Sequence, residues 1–141
     1  MPTTTRPRIL IGVYAAIAVV ALLATWSQNL ASINGSSFPM GFLHDLKANA
    51  ATRSITVDIV LFFLAAAIFM VFEARRIGIP YVWAYIIGGM LIAISVTFPL
   101  FLIARERKLA MGDQPGPATG DVIGLIVVGV VSAAWLVFTI L

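Results

Sequence analysis

Six acidic side chains and one histidine make up the chain's acid–base supply, and it has no cysteine. Without thiols there are no disulfides, thiolate nucleophiles or Cys-ligated metals, and one imidazole excludes any site built from two. His44 beside Asp45 has the makings of part of a triad, but no serine or cysteine motif accompanies the pair, and a triad needs a nucleophile. Both read as solvated loop residues. Asp58 is the one acid inside an apolar run, and an intramembrane carboxylate is costly enough to be a functional candidate by default. It sits about one turn inside its run, near the headgroup layer and the positive helix end. That depth favours a structural bond, to a neighbouring helix or to Arg53, over proton transfer. Glu73, Arg75 and Arg76 close one apolar run, and Arg105, Glu106 and Arg107 close another. Both clusters read as interfacial stop signals, with anionic lipid or partner contact as the sharper alternative. No catalytic, cofactor-binding or metal-ligating constellation can be drawn, so the expectation is a protein that is not an enzyme.

The elements that must position these groups follow from composition. Of 141 residues, 61% are hydrophobic and 11% charged, against about 25% charged in a typical soluble domain. Spanning helices take about 20 apolar residues each, so four of them use nearly the whole apolar content. The runs are Ile9–Trp26, Ile55–Phe72, Tyr81–Ala104 and Asp121–Leu141. The first follows Arg6 and Arg8 like a signal peptide, but it is long and lacks a small-x-small cleavage site, so it reads as an uncleaved helix. The spacing predicts an all-α integral membrane protein, a bundle of four transmembrane helices with a short interfacial amphipathic helix in the first loop. That short helix is expected over Met40–Ala51, where Phe42, Leu43, Leu46 and Ala50 recur at helical spacing. Ser54 is the expected N-cap of the second span. Gly78 permits a tight turn, and Pro80 suits the first position of the third helix. Pro99 cannot donate to the carbonyl of Ser95, so a kink is expected there. Residues 1–110 thus form a three-span core, 111–120 a Pro/Gly-rich linker, and 121–141 an additional helix. Small residues four apart, among them Gly88 with Ala84, Gly89 with Ala93, Gly120 with Gly124, and Gly129 with Ala133, allow close helix approach in lipid. The fourth helix carries two such pairs, which read as a smooth strip for docking.

The formal charge is +3, but the basic residues sit at the ends of apolar runs and make no nucleic-acid footprint. If all four runs cross, one side holds Arg6, Arg8, Arg75 and Arg76, and the other Lys47, Arg53, Arg105, Arg107 and Lys108. That is close to a tie under the positive-inside rule. The basic flank of the first helix favours both termini in the cytoplasm.

The stretch Ala48-Asn49, then Asp58-Ile59-Val60, the turn Glu73-Ala74-Arg75-Arg76-Ile77-Gly78, and the ending Pro99-Leu100-Phe101-Leu102 with Arg105-Glu106-Arg107 together resemble a family of small bacterial membrane proteins, a domain of unknown function. The resemblance covers Ile9 to Leu109. It implies that Asn49, Asp58, Glu73, Arg75, Arg76, Gly78, Pro99, Arg105 and Glu106 belong to a recurring pattern, and it implies no activity. The fourth helix departs from the pattern as an addition. The Ala/Val/Gly-rich composition resembles that of a high-GC bacterium. In that setting the chain resembles an accessory subunit of an envelope assembly such as an MCE-type lipid importer.

The leading expectation is therefore a non-catalytic accessory subunit in the bacterial inner membrane. It would contact membrane lipids and a larger complex, with neither cofactor nor nucleic acid. The alternative is a small proton-coupled exporter acting as a homodimer. Exporters of this size carry an essential acid in the first helix, and Ile9–Trp26 has none, so Asp58 would have to substitute.

Overall fold

The computed structural model describes residues 5–35, 40–110 and 119–140, and every regular element among them is helical. The elements are α1 (Thr5–Gly35), α2 (Met40–Asp45), α3 (Ala50–Ile77), α4 (Val82–Gly88), a π-helical segment (Gly89–Ala93), α5 (Ile94–Leu109) and α6 (Thr119–Ile140). Three stretches, Pro7–Ala31, Ala50–Ile77 and Val82–Leu109, are long and apolar enough to cross a membrane. The chain divides into two compact units, one ending at Met111 and one beginning at Gly112.

Local chemistry moves several boundaries. α2 has six residues and ends at Asp45, short of Ala51. α3 begins at Ala50, ahead of the expected Ser54 cap, because Asn49 and Thr52 form a capping box. The Asn49 side chain accepts from the Thr52 N–H at 3.0 Å, and the Thr52 hydroxyl accepts from the Asn49 N–H at 3.2 Å. Such reciprocal bonds satisfy two donors that an uncapped helix end leaves open. At the other end Gly78 takes φ 72°, and the Ile79 N–H donates to the Ala74 carbonyl at 2.9 Å. Glycine suits this left-handed position because it has no Cβ to clash. Pro80 is not the first residue of the next helix. Tyr81 caps it from a left-handed φ of 57°, and α4 starts at Val82.

The largest departure from expectation lies in the third apolar run. It does not continue as one straight helix. Ala93 is extended, at φ −179° and ψ 140°, and the chain reverses there. Tyr85 and Phe101 meet edge to face with ring centroids 5.7 Å apart, although sixteen helical residues would separate them by about 24 Å. A Cβ on Gly88 would meet Thr97 at 3.2 Å, and one on Gly89 would meet Thr97 and the Phe63 ring at 3.0 Å. Gly88 and Gly89, one from each of two expected pairs, permit a close approach, but between the two arms of one hairpin. The inward arm has seven residues of α4 and five π-helical ones, about 18 Å in all. That is less than the hydrocarbon thickness of about 30 Å. The expected kink at Pro99 is displaced to Ala93, and α5 carries Pro99, buried, inside it.

α5 returns parallel to α3, as the order of their ring contacts records. Phe98 meets Phe62 at 6.3 Å and Phe69 at 6.0 Å, and Phe101 meets Phe69 at 6.3 Å. These rings surround the core of the first unit, where Met70 and Phe101 are fully buried with Ala74, Ile79, Val82 and Ile86. α1 lies along α5. In the second unit, α6 is a 22-residue apolar helix. Its glycines do not make one strip. At about 100° per residue, Gly129 and Ala133 fall on the face opposite Gly120 and Gly124.

The reversal has a direct test. Cysteines introduced singly at Pro80 and Ala110 should react with an impermeant thiol reagent from the same side of the membrane. Labelling from opposite sides would restore a straight third span.

Candidate functional site

The fold brings chemistry to two places in the first unit. The first lies where α3 and α5 end together. Glu73 is only 7% exposed. Its Oε2 accepts from Arg76 Nε at 2.7 Å, and its Oε1 accepts from Arg76 Nη2 and Arg105 Nε, each at 2.7 Å. Arg105 Nη1 also donates to Glu106 Oε1 at 3.0 Å. Arg76 reaches Glu73 from one helical turn away, a spacing at which side chains meet on one face. Arg105 comes from the other helix and is half-buried. Two carboxylates and two guanidiniums close a neutral network, which is a fastening rather than a site for exchanging protons. Arg75, Arg107 and Lys108 remain exposed beside it. The sequence placed Glu73 and Arg105 at opposite ends of a straight span, and the hairpin joins them.

The second place lies at the hairpin tip. A cavity of about 930 Å³ opens between α1, α2, the first half of α3 and the tip segment. α1 contributes Thr25, Trp26 and Asn29, α2 contributes Phe42 and Leu43, and the tip contributes Gly89 to Ser95. Its walls are mainly apolar, and Asp58 is the one charged residue among the described residues that line it. The expected bond between Asp58 and Arg53 is not made. Arg53 instead donates to the Lys47 carbonyl at 3.1 Å, and no described residue forms an ion pair with Asp58. His44 and Asp45 lie 3.8 Å apart on side chains 87% and 65% exposed.

Residues 13–107 match the family model described as protein of unknown function DUF2834. The chain belongs to this family. Comparison with curated proteins and with solved structures gives no match. The DUF2834 segment runs from within α1 nearly to the end of α5, so it contains the ion network and the whole cavity lining. It contains Asn49, Asp58, Glu73, Arg75, Arg76, Pro99, Arg105 and Glu106, while Gly120, Gly124, Gly129 and Ala133 lie outside it. Sequence reasoning missed Asn29, Trp26 and the tip as parts of one site. The adjacent glycines at 88 and 89, followed by Thr97, were the available signal.

The network predicts unequal losses. Arg105→Ala removes the bond between the two helices and leaves the buried Glu73 with Arg76 alone, and should destabilise the fold by about 3 kcal/mol, the low end for a broken buried pair. Arg76 is 62% exposed, so Arg76→Ala should cost about 1 kcal/mol. Unfolding midpoints in detergent measure both, and equal losses would contradict the assigned roles.

Proposed function

We propose that this DUF2834 protein is a non-catalytic integral membrane subunit working within a larger transporter or envelope complex, with lipid as the transported class. The observation that supports this best is the ion network, in which Glu73, Arg76, Arg105 and Glu106 are engaged in fastening helices. Charged groups used this way make a rigid part rather than a reaction centre. The apolar cavity supports the lipid connection.

The bacterial inner membrane is the proposed location, and the hairpin supports an orientation. Arg75, Arg76, Arg105, Arg107 and Lys108 gather at one end of the first unit. α1 brings Thr25–Asn29 to the hairpin tip, so its start, with Arg6 and Arg8, lies toward the same basic end. Lys47 and Arg53 are left at the other. This uneven distribution supports a cytoplasmic basic end under the positive-inside rule.

The exporter reading keeps one supporting observation, Asp58 in the cavity with no ion-pair partner among the described residues. Purification from native membranes in mild detergent separates the two. A stable assembly with other membrane proteins is expected. Recovery only as a free monomer or homodimer would sink the subunit proposal and favour the exporter.

A further inference from the structure

We propose that the hairpin-tip cavity binds a single-chain amphiphile with a cationic amine head, its chain among the aromatic and aliphatic walls and its amine on the Asp58 carboxylate. Size comes first. About 930 Å³ falls at the upper end of the roughly 300–1,000 Å³ typical of small-molecule sites. The walls come next. Trp26, Phe42, Leu43, Phe62 and Met90 line it, and such a surface takes an apolar chain by burial alone.

Charge then selects the head. The tip carries two helix ends of opposite polarity, the carboxyl end of the π-helical segment and the amino end of α5. Their partial charges oppose one another across the extended Ala93. Asp58 adds a carboxyl group that no described cation pairs with, and Arg53 is turned to the Lys47 carbonyl. A carboxylate within an apolar run is stabilised by an opposite charge brought to it. Asp58 is also exposed rather than packed away, so a ligand can reach it. The two halves of the site therefore ask for the two halves of one molecule. The proposal concerns this chain alone and holds with or without partner subunits.

Trp26 supplies the readout. With Trp83→Phe and Trp135→Phe it is the sole tryptophan. The full chain is placed in phosphatidylcholine nanodiscs and titrated with three chain-brominated probes of equal length, headed by an amine, an alcohol or a carboxylate. Bromine quenches the Trp26 emission when the chain enters the cavity. The amine should half-saturate at a concentration at least about tenfold below the alcohol, as a charge-assisted hydrogen bond implies, and the carboxylate should bind least well. Asp58→Asn should erase the preference for the amine while leaving the alcohol unchanged. Equal quenching by amine and alcohol in the wild type would overturn the proposal, as would tighter binding of the carboxylate. So would an amine preference that survives Asp58→Asn. If Asp58→Asn abolishes quenching by every probe, Asp58→Glu decides, with a retained amine preference supporting the site and its loss overturning it.

Discussion

Taking a carboxylate out of water costs several kcal/mol unless opposite charge and hydrogen bonds replace the lost solvation. Glu73 meets that condition only because two helices converge on it. Arg76 is supplied by its own turn of α3, at a spacing that any helix provides, but Arg105 is available only if α5 comes back beside α3. The ion pair and the chain reversal thus imply each other. Breaking the hairpin would leave Glu73 with one exposed partner, and losing Glu73 would remove the polar lock on the returning arm. The core beneath the pair follows the same register, with Met70 one turn before Glu73, Ala74 directly after it, and Phe101 one turn before Arg105.

How much of this was legible depends on what each signal measures. Hydropathy measures burial in lipid, and it placed α1 and α3 correctly as long apolar helices. It cannot register a single extended residue, so the run from Tyr81 to Ala104 looked continuous although Ala93 breaks it. Pro99 drew attention because a missing N–H is a visible defect, yet α5 carries it without reversing. The residues that permit the turn are Gly88 and Gly89, and what they permit is contact with Thr97 eight or nine residues onward. Such a partner cannot be inferred from periodicity. Ser54 lost to Asn49 as a helix cap for a related reason. Both types cap well, and the choice went to the residue whose third successor, Thr52, could return the bond.

The same reversal explains why the charge count was ambiguous and how the basic residues come together. A straight span would send Arg105, Arg107 and Lys108 to the side opposite Arg75 and Arg76, dividing the basic residues almost evenly. Folding the span back collects them, and the candidate sites separate accordingly. Glu73 stands at the basic end among arginines, whereas Asp58, about 22 Å away along the same helix, lines the tip cavity with no basic partner among the described residues. Two acids on one helix have thus been given opposite surroundings by one bend elsewhere in the chain.

The cavity is a consequence of that bend rather than an accident of packing. Backbone that leaves helical geometry at membrane depth must be covered by protein or must face a polar space, because hydrocarbon cannot satisfy its N–H and C=O groups. At the tip, α4 has ended in a π-helical segment, α5 has only begun, and Ala93 is extended between them. Helix ends leave up to four carbonyls on one arm and four N–H groups on the other without helical partners. A tip of this kind pressed directly against lipid chains would be unstable. The cavity beside it is lined by Thr25, Asn29, Ser95 and Asp58 among mainly apolar residues. A cavity with a few polar groups among apolar walls gives such a turn polar neighbours, and it is also a shape that suits an amphiphile.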